Sequence, residues 1–343
     1  MRKAISVLIP FIILANFMGC HVERPTPARF MRTETHTLEL KPGGQLRALT
    51  FNGSIRAEGW ERDEVSLVAE IRERREGDIR FSAASKGGYV EIIAEEKNKN
   101  VVFAGFGNSE SNGVSYTLKI PKNTIATLVS SNGNLEIREV DGEIDTTTSN
   151  GSIAAIEIGG KARLSTSNGA IMASTIKGGL IAKTSNGRLD IRDIKGDADL
   201  RSSNGRIEVR GVRGETSAFT SNGSIVAEDI EKDLIGKSSN GRIDIDRVLG
   251  GIDVCTSNAS IIATNLDGRG RGIRLATSNG SIDVALGQAQ GQLEACASNR
   301  ERGVSIQIPN VQPTRDGSTT KAKIGNSDQL IELKTTTGKI TVR

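Results

Sequence analysis

Apolar and polar residues alternate along most of this chain, and the alternation restarts every eighteen residues. The repeat after Gly187 shows the pattern. Leu189, Ile191 and Ile194 are apolar, and Arg188, Asp190 and Arg192 are charged. Ala198, Leu200 and Ser202 follow. The next repeat reads Ile207, Val209, Val212, Thr216, Ala218, Thr220, and the one after Gly241 reads Ile243, Ile245, Val248, Ile252, Val254, Thr256. Period-two alternation over a short run marks a half-buried strand. Each repeat therefore predicts two short strands with apolar residues inward and charged ones outward.

Asn-Gly pairs punctuate the repeats. Asn132-Gly133, Asn150-Gly151, Asn168-Gly169, Asn186-Gly187, Asn204-Gly205, Asn222-Gly223 and Asn240-Gly241 keep the step. Asn258-Ala259 holds it with Ala, and Asn279-Gly280 comes after three extra residues. Such a pair predicts a tight corner in which Gly or Asn supplies a positive φ. A second turn, such as Lys195-Gly196 or Arg213-Gly214, separates the two strands.

Two arrangements satisfy this pattern. In a meander each Asn-Gly is a two-residue hairpin, which leaves a long sheet with one uncovered apolar face. In a solenoid each repeat is a coil stacked on the one before, and its two strands close over a thin core. Stacking also places like residues on like, which accounts for the recurring Thr/Ser-Ser-Asn run. The expectation is an all-β fold: a β-solenoid of about ten 18-residue coils, about 4.8 Å apart, behind an N-terminal β-rich capping region. The expected divisions are a signal peptide at 1–19, a tether at 20–34, the cap at 35–125 and the solenoid at 126–343.

Within the cap, Val65 to Ile71 and Tyr89 to Ile93 read as strands, and Arg72 to Asp78 as a charged turn. Asn98 to Gly113 reads as a mobile loop, and Val114 to Pro121 as a strand entering the first coil. Beyond the regular coils, Gln312 to Ser327 is a polar insertion, and Thr337-Gly338-Lys339-Ile340 marks a final divergent coil.

The first residues carry an address. Arg2 and Lys3 precede an apolar run, Ala4 to Phe17, too short for a good membrane span. The run ends in Phe17-Met18-Gly19-Cys20, which resembles a bacterial lipobox. That resemblance implies that Cys20 becomes the first mature residue and carries acyl chains, palmitate among them. Such chains hold a protein on a membrane without spanning it. Residues 21–30, with Pro25 and Pro27, read as the tether. His21, where inner-membrane retention would call for Asp, favours the outer membrane of a Gram-negative cell.

The formal net charge is +4, of which Arg2 and Lys3 supply two. That is too weak for a nucleic-acid binder, and no basic stripe interleaved with aromatics is present. Both histidines, His21 and His36, precede the repeats. A His-based triad or His-rich metal site within the solenoid is excluded. No Asp-rich nonapeptide repeat suggests calcium, and no cofactor motif occurs. Cys255 and Cys296 fall two coils apart at outward positions, beyond disulfide reach, and are expected free.

Three sets of residues remain as candidates. Arg188, Asp190, Arg192, Arg206, Glu208 and Arg210 form a charged block on two consecutive coils, either a cross-paired solvated face or a patch for an anionic glycan or envelope protein. The corner asparagines Asn150, Asn168, Asn186, Asn204, Asn222 and Asn240 read mainly as a structural amide ladder. Coils after Gly151, Gly169 and Gly223 are less charged outside (Ala154, Ile156, Met172, Ser174, Val226), a hint of an apolar strip.

The unit Ser203-Asn204-Gly205-Arg206-Ile207-Glu208-Val209, the segment Phe51 to Trp60 (FNGSIRAEGW) and the Leu118 to Pro121 strand together resemble the bacterial "putative adhesin" domain family. The resemblance spans roughly residues 36–343. It implies a β-solenoid at the cell envelope and brings no catalytic residues. The leading expectation is a non-catalytic envelope lipoprotein used for adhesion, binding or scaffolding. The alternatives are a polysaccharide-processing β-helix enzyme, which the scarcity of aromatics disfavours, and a self-assembling envelope filament, which the divergent ends disfavour. The sequence sets no oligomeric state.

Overall fold

The computed structural model describes residues 30–97, 112–298 and 303–343. The lipobox and the expected signal lie outside the described residues, as do residues 98–111 of the expected loop. Every regular element among the described residues is a β-strand. Contacts divide the chain into two compact units, Met1–Gly142 and Glu143–Arg343.

The second unit is a β-solenoid. The Asn-Gly pairs are not hairpins, because strands one repeat apart pair in parallel: Leu189 lies against Ile207, Ile191 against Val209 and Ile194 against Val212. The longer strands, such as Ile171–Ile176, Leu189–Ile194 and Ile207–Val212, stack into one sheet. The shorter ones, such as Leu180–Lys183, Ala198–Arg201 and Thr216–Phe219, stack into a second. Their inward residues are buried and form the core. Each buried Ile or Leu contributes about 1.5–3 kcal/mol. No layer is thicker than one side chain from each sheet, which explains how a chain so poor in large aromatics fills its interior.

The corner glycines are required for a reason other than the expected one. None of Gly133, Gly169, Gly187, Gly205, Gly223, Gly241 or Gly280 has a positive φ. Instead, a Cβ on Gly187 would overlap the carbonyl of Gly169, and one on Gly205 that of Gly187. Glycine is needed because backbone stacks directly on backbone there. The positive φ occurs on the opposite edge of the coil. Glu157, Thr175, Asp193, Asp229, Arg247 and Asn265 have φ between 53° and 58°, and Gly211 has 71°. This left-handed residue inserts an extra outward position between two inward ones, as Asp193 does between Ile191 and Ile194. Its trace in the sequence is the three-residue step between those isoleucines.

Buried hydroxyls and exposed amides tie coil to coil at the Asn-Gly corner. Thr184 Oγ1 donates to the Gly169 carbonyl (3.1 Å) and accepts from Gly187 N (3.1 Å). Ser238 and Thr256 make the same donation to Gly223 and Gly241 (3.1 and 3.0 Å). Outside them, Nδ2 of Asn168, Asn186, Asn204, Asn222 and Asn240 each donates to Oδ1 of the preceding asparagine at 2.7 Å. Asn258 continues the ladder (2.6 Å) despite Ala259 beside it.

The last coil is not last in space. Leu330–Thr335 lies between Ile273–Thr277 and Gly291–Ala297, and Ile340–Val342 lies between Ile282–Ala285 and Val304–Ile306. The Thr337-Gly338 segment forms a full corner, with Thr335 Oγ1 donating to the Gly280 carbonyl at 2.8 Å. The polar insertion folds as a hairpin, Thr314–Asp316 and Thr319–Ile324, antiparallel to Gly291–Ala297. Cys255 and Cys296 are free. The inserted strand puts Ala276 and Lys334 between them, three strand steps rather than the two expected.

The first unit also departs from chain order. Ile55–Trp60 pairs in parallel with both Gly113–Pro121 and Leu135–Val140, and Gln45–Leu49 with both Tyr89–Glu96 and Ile125–Val129. The FNGSIRAEGW segment is thus a coil of its own. Phe30–Glu39 is a strand antiparallel to Glu64–Glu73, so its first residues overlap the span read as tether. Buried Glu73 anchors it: the carboxylate accepts from Arg32 Nη1 (2.6 Å) and from Ile79 N (2.8 Å).

Candidate functional site

Alternation sends Arg188, Asp190 and Arg192 outward from one strand and Arg206, Glu208 and Arg210 from the next, so the structure brings the charged block together. Glu208 stands at its centre, only 6% exposed. It accepts from Arg188 Nη2 (2.5 Å) and pairs with Arg210 Nη2 (2.9 Å) and Arg206 Nε (3.6 Å). Arg192 Nε donates to Asp190 (3.0 Å), and Arg210 Nε to Glu228 of the following coil (2.8 Å). The hydrogen bond from Arg192 holds the Asp190 carboxyl below its usual range. The block is cross-paired, and its charges are largely spent on one another.

The asparagine ladder is likewise occupied, since each amide gives a donor to one neighbour and an acceptor to the other. Of the apolar strip, Met172 is exposed, whereas Val226 is buried between its neighbours. Cys20 lies outside the described residues. Among the described residues no group of three His, Cys, Asp or Glu side chains is placed to hold a metal ion, and no helix is long and apolar enough to cross a membrane.

The sequence reading missed a concave feature of the second unit. A groove of about 520 Å³ crosses the coils from Thr175 to Asn265, along the left-handed edge. One wall is the column of left-handed residues, with Asp193, Gly211 and Asp229 at its centre. The other is the column two residues further on. There Lys177, Lys195 and Arg213 occupy equivalent positions on three consecutive coils, followed by Glu231 and Leu249. These five residues are exposed, Leu249 to 42%. Within the left-handed column Arg247 pairs with Asp229, with Nε to Oδ1 at 2.5 Å and Nη2 to Oδ2 at 3.1 Å. That pairing depresses the Asp229 carboxyl. Arg213 lies 3.7 Å from Glu231. The signal that could have found this groove is the run of Lys177, Lys195 and Arg213 at eighteen-residue spacing, each just after the three-residue apolar step.

A stacked two-sheet solenoid with a corner locked by Ser/Thr-Ser-Asn-Gly defines the class. The family described as Toastrack DUF4097 matches residues 50–343, and the chain belongs to it. No curated protein matches. Two crystal structures are similar in fold. One is of a putative cell adhesion protein from Clostridium sporogenes, with 9% identity, 91% of this chain and 99% of that chain covered, and a TM-score of 0.27. The other is of a putative lipid binding protein from Parabacteroides distasonis, with 15% identity, 91% and 96% covered, and a TM-score of 0.36.

Proposed function

We propose that this chain is a lipid-anchored protein of the bacterial envelope, outer membrane where one exists, whose rigid solenoid binds or scaffolds without catalysis. The observation that carries this reading is how the recurring chemistry of the repeats is used. The corner hydroxyls and amides bond to adjacent coils, and the charged block bonds to itself. A group committed in this way cannot act as a nucleophile or base without breaking the stack. What varies from coil to coil is the outward surface, and a rigid rod presents such a surface well. The Met18-Gly19-Cys20 signal supports the anchor, and the proline-bearing stretch after it supports a short spacer.

Protease shaving of intact cells, read with an antibody to the solenoid, tests this. The wild type should fractionate with membranes, and Cys20→Ser should not. Loss of signal on intact cells would make adhesion to external surfaces the working role. Protection until the envelope is opened would restrict it to scaffolding within. A Cys20→Ser protein that stays on membranes would sink the lipid-anchor reading.

A further inference from the structure

We infer that the tip of the strand Phe30–Glu39 enters a lipid bilayer, with Phe30 and Met31 in the apolar layer just beneath the headgroups. The inference rests on the reading of Cys20 as a lipid anchor. Burial along the strand shows where it stands clear of the protein. Successive side chains of a strand point to opposite faces, and from Arg32 to Glu39 half-buried and exposed residues alternate. At Phe30 and Met31 the alternation stops, and both are exposed, to 42% and 65%. The tip is therefore open on both faces. No other exposed large apolar residues among the described ones are neighbours in sequence.

Position then points to lipid. Phe30 follows Cys20 by ten positions. An extended chain covers at most about 3.6 Å per residue, so an acylated Cys20 keeps Phe30 within about 36 Å of the membrane. The strand leads away from the tether, and its Glu39 end lies about 30 Å from the tip. The tip is also held in place. Arg32 Nη1 donates to the buried Glu73 carboxylate at 2.6 Å, which pins the ribbon one residue from Met31.

Shape selects lipid over a protein partner. A protein that docks on a sheet covers a face or extends an edge. A tip open on two faces is surrounded by a fluid layer and only half covered by a rigid surface. Exposed apolar side chains gain by leaving water, and the flexible Met31 thioether adapts to irregular surroundings. Charge makes no choice among lipids. Arg72 lies opposite Met31, and from there to Asp78 the chain carries Arg72, Arg74 and Arg75 against Glu73, Glu76 and Asp78. These balance, so the contact is apolar and a zwitterionic bilayer serves.

The test uses the acylated protein, purified in detergent and reconstituted into phosphatidylcholine vesicles with plain or brominated acyl chains. Bromine quenches tryptophan on contact. Trp60, the one tryptophan of the chain, donates from Nε1 to the Glu64 carbonyl (2.8 Å), beside the Glu39 end of the ribbon, and serves as the reference. Met31→Trp and Thr37→Trp add probes at two exposed positions on one face, about 20 Å apart. The emission added by Met31→Trp should shift to shorter wavelength and be lost in brominated vesicles. Thr37→Trp and Trp60 should keep theirs. Adding Phe30→Ser to Met31→Trp should restore the emission. Thermal melts check folding, and if Thr37→Trp melts early Trp60 remains the reference. Equal quenching at positions 31 and 37 would mean that the ribbon lies flat, and none at 31 that the tip stands clear. Quenching untouched by Phe30→Ser would mean that the anchor alone brings the tip to lipid. Each of these overturns the inference. Failure of the wild type to float with vesicles would sink anchor and tip together, whereas flotation without quenching sinks the tip alone.

Discussion

Thr184 and Thr216 both point a hydroxyl into the core, yet their surroundings differ. The Thr184 hydroxyl satisfies a carbonyl of the previous coil and an N–H of its own. Thr216 is 1% exposed, and its hydroxyl has no hydrogen-bond partner. Valine has nearly the same shape as threonine. Thr184→Val leaves two buried backbone groups unpaired and should destabilise by about 1–3 kcal/mol. Thr216→Val removes an unsatisfied hydroxyl and should stabilise by up to about 1 kcal/mol. Urea melts of the two variants should move in opposite directions, and a matching loss at both would refute this account of the corner. At this scale the sequence identified the residues and misassigned one cause. Asn-Gly is the strongest short-range turn signal, so positive φ was the natural expectation. The reason glycine is required, a carbonyl one coil away, is a contact between residues eighteen apart that appears only once the coils are stacked.

Strands were legible because alternation and burial share a period. Edges were less so. The left-handed residue between Ile191 and Ile194 breaks the alternation by one position, and the groove follows from that break. The left-handed column also carries a pH dependence. Arg247, left-handed itself, reaches back to Asp229 and keeps its carboxyl below the usual range. Asp190 is depressed in the same way by Arg192. A carboxylate whose folded pKa lies below its unfolded value stabilises the fold above the unfolded pKa, near 3.9, and stops doing so as pH falls through the folded one. Stability should be flat from neutrality to about pH 5 and fall below about pH 4. The Asp229 side chain is 52% exposed, so solvent screening keeps its share small. Urea midpoints of wild type and Asp229→Asn between acid and neutral pH should converge at the acid end. A constant gap would mean that the pair does not titrate as described. High salt should shrink the difference at neutral pH.

At the scale of the molecule the repeat period fixed the stack but not the order of its coils. The Thr335-to-Gly338 corner keeps the Thr and Gly of the others, with Thr337 in the Asn place, and nothing in it says which coil it joins. Pairing between residues far apart in sequence decides that, as where Thr335 reaches a carbonyl 55 positions earlier. The consequence is a C-terminal segment that acts as a wedge. Leu330–Thr335 pairs on one side with Ile273–Thr277 and on the other with Gly291–Ala297, so its loss would remove the partner of two strands at once. In a stack of coils each layer is stabilised by its neighbours, and damage at one layer decays with distance along the array. A chain ending at residue 327 should therefore lose amide protection in hydrogen exchange across 273–297 and keep it across 171–230. The second unit should also refold faster, since its own pairings of longest sequence separation, such as Ile273 with Ile331, are gone. Uniform loss of protection across 171–297 would instead mean that the second unit folds as one cooperative block, with the inserted coil acting as its keystone.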